Sequence, residues 1–281
     1  TDGLRRILDR STRYEYRGPY GAQYRMSMAA NEFEGFQVVV YPLLADLHNV
    51  RFTWTDLVAD GAKDGDGSGA GRIPASDIEY FVQEWYRVRA NWKTRDVFFR
   101  EKLYEVPDPL VAAAPATAGR HRHTPFYFRV RTRPGTPAGT YKGTVTVQAD
   151  NAKATAIALE VKVWPFAVPE KWNFHTMGQL VWESCQGFHG RDWDAALQRK
   201  YFDFLLDHRF SPTEQYTQQL SPRQDLEHCL GRGMNTVYLY SVHGQRDQPT
   251  EELMARIRPD YQKVQRLGER LRHRRECERL L

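Results

Sequence analysis

Apolar and polar residues alternate with two different periods along this chain, and the period changes near Val168. Before that point, short runs repeat every second residue. Val50, Phe52 and Trp54 alternate with Arg51 and Thr53; Phe126, Phe128 and Val130 with Tyr127, Arg129 and Arg131; Ile157, Leu159, Val161 and Val163 with Ala158, Glu160 and Lys162. In an extended chain every second residue shares a face, so each run predicts a strand buried on one side. Residues 24–29, 34–41, 78–88 and 141–149 bring the total to about seven strands with turn-rich connections, the pattern of an antiparallel sandwich. Asp150 and Asn151 join the last two as a hairpin.

After Val168 apolar runs alternate with stretches of helical spacing. Residues 174–181 predict a strand. With Asp192 as N-cap, Trp193, Leu197, Tyr201, Phe204 and Leu205 then recur along one helical face through His208. Residues 211–216 predict a second strand. Ser221-Pro222 supplies a helix start with proline at its first position, and Gly231 or Gly233 a stop. Residues 236–242 predict a third strand. A helix from Thr250 follows, with Met254, Ile257, Tyr261, Val264, Leu267 and Leu271 on one face and a kink or restart at Pro259. The order βαβαβα requires crossover connections and so a parallel sheet. A closed barrel of eight such units takes about 250 residues, and only three units fit here. The expected fold class is mixed: an all-β antiparallel sandwich over residues 1–168, then an incomplete (β/α)8-type barrel segment over residues 169–281.

Composition adds limits. The 281 residues, 41% hydrophobic and 27% charged, suit one or two ordinary cores. The longest apolar run, residues 36–45, falls short of the roughly 18 residues a membrane span needs, so no membrane span is expected. The opening TDGLRRILDRS has no apolar stretch of the kind a secretion signal carries. The net charge of +5 is local: residues 255–281 hold nine basic and four acidic side chains, and the rest is neutral. Arg270, Arg272, Arg274, Arg275 and Arg279 read as a solvated helix face, because no aromatic residues interleave to stack on bases; nucleic acid is not an expected partner. Cys185, Cys229 and Cys277 are odd in number and widely spaced, which suits ordinary thiols better than a disulfide framework or a zinc site.

Three local motifs read better as structure than as chemistry. In residues 61–71, GAKDGDGSGAG, a calcium loop built on Asp64 and Asp66 would need ligands at Ala62 and Ile73, and no phosphate-loop pattern occurs, so a surface loop is expected. His121 and His123 have no carboxylate neighbour with which to hold a metal. Ser184, His189 and Asp192 have the residue types of an activated nucleophile but lack the GxSxG turn that presents one. The more informative residues follow the proposed parallel strands, where barrel enzymes build their sites: Gln179, Trp182 and Glu183 after the first, Glu214 and Tyr216 after the second, Tyr240 and His243 after the third. Aromatic faces stack on the C–H surfaces of a pyranose while carboxylates and amides bind its hydroxyls, so Trp182, Glu183, Tyr216 and Tyr240 are the expected sugar-binding residues. The competing reading makes Trp182 and Tyr240 packing residues.

Four segments in order, MSMAANEFEGFQVVV (26–40), PDPL (107–110), PGTPAGTYKGTVTV (134–147) and VWPFAVP (163–169), resemble the N-terminal sandwich of glycoside hydrolase family 123. KYFDFLLDHRFSPTEQY (200–216) and GMNTVYLY (233–240) resemble early units of that family's catalytic barrel. The resemblance implies a retaining β-N-acetylgalactosaminidase-like activity in which the substrate's acetamido oxygen attacks the anomeric carbon. An adjacent Asp-Glu pair assists: Glu as acid and base, Asp orienting the acetamido group. No adjacent Asp-Glu occurs in this chain. The resemblance puts that pair on a strand beyond the last helix here, so the catalytic residues are expected beyond Leu281 and this segment is expected to be inactive alone. Pro165 stands where the family more usually has an acidic residue. The partner implied is an N-acetylated hexosaminide glycan, the location extracytoplasmic or secreted; no cofactor, metal or oligomeric state is implied. A non-catalytic carbohydrate-binding or structural sandwich protein is the alternative.

Overall fold

The computed structural model describes residues 23–61, 71–89, 103–169, 173–214, 225–237 and 251–278, and divides the chain into two compact units, Thr1–Val168 and Pro169–Leu281. The fold is mixed and rich in β-strand. Among the described residues the first unit holds eleven strands. One sheet runs in the order β1 (Gln23–Ala30), β11 (Ala152–Ala167), β10 (Gly139–Ala149), β3 (Leu47–Trp54) and β8 (Ala116–Ala118), with the short strands β4 (Leu57–Ala59) and β5 (Arg72–Ile73) branching from β10. The second sheet runs β2 (Phe33–Val40), β9 (Thr124–Arg131), β6 (Ile78–Arg89) and β7 (Leu103–Ala112).

The inward positions are those the alternation marks. Phe126, Phe128 and Val130 are fully buried on β9, as are Tyr141 on β10 and Val161 on β11. Phe36, Phe52, Trp54 and Tyr80 close around Phe128 with ring centroids at 4.9, 5.0, 6.1 and 5.6 Å. Side chains of both sheets thus share one aromatic core. The Tyr141 hydroxyl, carried into that core, donates to the Pro137 carbonyl at 2.8 Å, and burial raises its pKa. Asn31, with φ of 58°, turns the chain from the first sheet into the second, and the buried Thr132 hydroxyl ties the corner by donating to the Ala29 carbonyl and accepting from the Glu32 N–H.

Two expectations for this unit need correction. The sandwich is not wholly antiparallel: β1 and β11 pair in parallel, from Gln23 opposite Ala158 to Met28 opposite Val163. A period of two reads the same in both directions, so alternation leaves strand direction open. Four strands, β4, β5, β7 and β8, also go beyond the seven expected. β7 carries Pro107 and Pro109, which suit its place at the sheet edge, where a missing N–H breaks no inner ladder.

In the second unit β12 (Met177–Leu180) pairs in parallel with β13 (Ser211–Glu214). Among the described residues four α-helices accompany them: α1 (Trp182–His189), α2 (Ala195–Asp207), α3 (Leu226–Gly231) and α4 (Glu251–Glu278). Phe202, Leu206, Leu226, Cys229, Met234 and Leu267 form its core with Trp182. The N-cap of α2 is Asp194 rather than Asp192: its Oδ1 accepts from the Leu197 N–H at 2.7 Å from an extended backbone, while Asp192 sits in the preceding 3-10 turn. The strand expected over 174–181 is confined to four residues, and α1 begins at once. Residues 236 and 237 are not in a strand, and the remainder of the expected third strand lies outside the described residues, as does Ser221-Pro222. The described part therefore establishes one parallel pair with helices, not a barrel segment. α4 runs through Pro259 without a restart. Ala255 and Pro259 are both exposed, so the carbonyl that loses its intrahelical donor faces water. No helix among the described residues is long and apolar enough to cross a membrane.

Candidate functional site

The ends of β12 and β13 define the candidate site. Gly178 fixes which way β12 faces: a Cβ there would lie 2.9 Å from Leu205 Cδ2 and 3.1 Å from Phe210 Cβ, so this backbone is pressed against α2 and the loop behind it. Leu180, two residues on, joins the core of the same unit. Met177 and Gln179 therefore face the other way, and the register puts Ser211 beside Met177 and Thr213 beside Gln179. The sheet face turned away from α2 thus carries three polar side chains, Gln179, Ser211 and Thr213, beside Met177.

Two levels of this face differ. At the start of the strands, Ser211 is fully buried and satisfied: its Oγ donates to Asn235 Oδ1 at 3.2 Å and accepts from the Thr236 N–H at 3.3 Å. Toward the C-terminal ends, Thr213 is 2% exposed and its Oγ1 has no hydrogen-bond partner among the described residues. A buried hydroxyl left unpaired costs about 1–3 kcal/mol. Gln179, beside it, is exposed. Just beyond Leu180, α1 begins without a side-chain cap at Val181, and Glu183 lies exposed in its first turn.

Of the four residues expected to bind sugar, Trp182 and Glu183 are described, and they separate. Glu183 is open to solvent. Trp182 is 9% exposed, with its ring centroid 5.7 Å from Trp193, 6.5 Å from Tyr201 and 5.2 Å from Phe202. Its backbone stands at the strand end while its indole belongs to the core, as the packing reading of this residue holds. Tyr216, Tyr240 and His243 lie outside the described residues, and Glu214 ends β13 opposite Leu180.

The other motifs resolve as structure. No hydrogen bond joins Ser184 to His189 or Asp192; His189 Nε2 instead meets the Tyr201 hydroxyl at 2.7 Å, and its ring stacks on Trp193. His123 is buried with its ring 4.8 Å from that of Tyr41, and His121 occupies a left-handed turn with φ of 57°. No group of three metal-ligating side chains occurs among the described residues. Residues 62–70 of the glycine-rich loop lie outside them. Cys185 and Cys229 are free thiols; burial, with Asp225 and Asp203 nearby, pushes Cys229 up to about 12. Ion pairs bind α2 to α3, Arg199 with Asp225 and Arg232 with Asp203 and Asp207, and His228 Nε2 meets Asp203 Oδ1 at 2.7 Å. Arg270 on α4 faces Glu227 at 3.8 Å, so part of the basic cluster has an acidic neighbour.

No protein-family model matches the chain, and no curated protein does. Among solved structures, a family 123 glycoside hydrolase from Clostridium perfringens, studied for glycolipid glycan hydrolysis, is similar over 66% of this chain at 14% identity and a TM-score of 0.52. The likeness is one of fold. The match spans 30% of that hydrolase's length. A PapD-like domain of human CEP192 matches 56% of this chain and 95% of its own length, at 7% identity and a TM-score of 0.28.

Thr213 is the site residue that sequence reading passes over. Its signal was present in the register: once 211–216 is a strand parallel to 174–181, Thr213 shares a face with Gln179.

Proposed function

We propose that this chain is the sandwich and the first βα portion of a glycoside hydrolase acting on N-acetylated β-hexosaminides. The observation that carries the reading is the likeness in fold, over 66% of the chain, to a family 123 glycoside hydrolase, and the parallel βα unit after the sandwich supports it. The polar strand-end face supports it, since sugar recognition needs hydroxyl and amide groups at such ends.

In the complete protein the acetamido oxygen of the substrate attacks the anomeric carbon as the glycosidic oxygen departs with a proton from a glutamic acid. Water then opens the oxazolinium with that carboxylate as base, retaining configuration. This chain has no adjacent Asp-Glu to do so. Its own part is to bind: Gln179 and Glu183 at the strand ends, with Tyr216 and Tyr240 supplying stacking surfaces, hold the sugar.

Calorimetry and a release assay with aryl N-acetyl-β-galactosaminide and the glucosaminide test this. The expected result is saturable binding of at least one of them without release of the phenol. Steady turnover abolished by Glu183→Gln would move the catalytic centre into this chain, and absence of binding to both sugars would overturn the reading.

A further inference from the structure

Thr213 is a β-branched residue in a buried strand position, where valine would fill the same volume without a polar atom. Among the described residues its hydroxyl has no partner, although the neighbouring polar position on the same face, Ser211, has both donor and acceptor partners. Gln179, directly across the register, has an exposed amide. The unpaired group thus sits at the C-terminal end of the parallel pair, where ligands of parallel sheets bind, and the paired one at the opposite end.

We infer that Thr213 and Gln179 are specificity-determining residues that recognise one hydroxyl group of the bound sugar. The inference rests on the reading of these strand ends as a sugar site, and it adds residues to which no role in that reading is given by resemblance. A threonine hydroxyl both donates and accepts, and a glutamine amide offers one group of each kind, so together they match a sugar hydroxyl, which also does both. Binding supplies the partner that Thr213 Oγ1 lacks in the free protein.

The test uses Thr213→Val and Gln179→Leu in the 281-residue chain, with aryl N-acetyl-β-galactosaminide and its 3-, 4- and 6-deoxy analogues as probes. Thr213→Val is expected to raise the unfolding midpoint by about 2–4 °C, because it removes an unpaired buried hydroxyl. It is also expected to weaken the parent sugar roughly 3- to 10-fold. Gln179→Leu should weaken the sugar similarly without moving the midpoint. One deoxy analogue should bind the wild type more weakly and be insensitive to Thr213→Val. A lowered midpoint with unchanged affinity would make Thr213 a packing residue and overturn the inference while leaving the sugar site standing. An equal loss for the parent and every deoxy analogue would also overturn it, since the effect would then be indirect. Failure of the wild type to bind the parent sugar or the corresponding glucosaminide would remove the underlying reading and this inference with it.

Discussion

The two units bury their side chains for different ends. In the first, both sheets turn aromatic rings inward, and Phe126, Phe128, Val130, Tyr141 and Val161 have no exposed surface. In the second, Trp182, Phe202 and Leu206 make a smaller core on one side of a parallel pair, and the other side carries Ser211, Thr213 and Gln179. Buried polar atoms without a hydrogen-bond partner among the described residues occur in both units, Thr124 Oγ1 on β9 and Thr213 Oγ1 on β13, so the units differ in how their sheets are covered rather than in having such atoms. The sandwich closes one aromatic core between two sheets, whereas the βα unit covers one side of its strand pair with apolar rings and carries Gln179, Ser211 and Thr213 on the other.

The largest test of that contrast is separation. Residues 1–168 alone are expected to unfold cooperatively, while residues 169–281 alone should show no cooperative thermal transition, since among the described residues their sheet has only two short strands. Calorimetry of each fragment checks both halves; a sharp transition in the second fragment and none in the first would reverse the comparison.

Within each core a single truncation sharpens the comparison. Phe128→Ala, surrounded by four rings, is expected to cost about 3–5 kcal/mol in urea unfolding. Trp182→Ala should cost about 3 kcal/mol and leave sugar affinity of the folded fraction unchanged. A selective loss of affinity at constant midpoint would return its indole to the binding surface.

Alkaline pH probes the second core through its buried thiol, read as the difference between the wild type and a variant without it. The Cys229 thiol holds its proton up to about 12 in the folded state and releases it near 9 when unfolded. Between these values the unfolded state binds fewer protons, so stability is full below about 9 and falls as pH rises toward 12, by at most about 1.4 kcal/mol per pH unit. Urea midpoints of the wild type and Cys229→Ala measured from pH 8 to pH 11 should converge; parallel pH profiles would show that Cys229 ionisation contributes nothing. The smallest effect is expected at Asp194→Ala, which removes the cap of α2 at about 1 kcal/mol, whereas Asp192→Ala should be close to neutral.

Legibility in the sequence follows the same division. Alternation at Phe126, Phe128 and Val130 marks β9 because one buried face imposes period two on the residues themselves. The direction of β1 leaves no such trace, and the prolines that mark β7 as an edge also disguise it as a loop. In the second unit α1 begins after Val181 with no capping side chain and contains Gly187, so neither a start signal nor a clear apolar stripe announces it. Asp192 and Asp194 both precede the same apolar run, and backbone geometry decides between them. Of the candidate site, Gln179 and Glu183 are legible from position after a strand. Trp182 misleads because the same position allows its ring to point inward, and Thr213 is silent until register is known.

The parallel pairing of β1 with β11 also sets a timetable for synthesis. Gln23 finds its neighbour at Ala158, 135 residues later, so β1 has no ladder partner on that side until nearly the whole sandwich has left the ribosome. At about 5–20 residues per second, that interval is roughly 7–27 s. Nucleation must therefore fall to nearer pairs such as the β10–β11 hairpin, and closure of the sheet comes last. Throughout the wait β1 lacks the parallel neighbour that holds it in the sheet, and this is the segment on which a nascent chain of this protein would most need a chaperone.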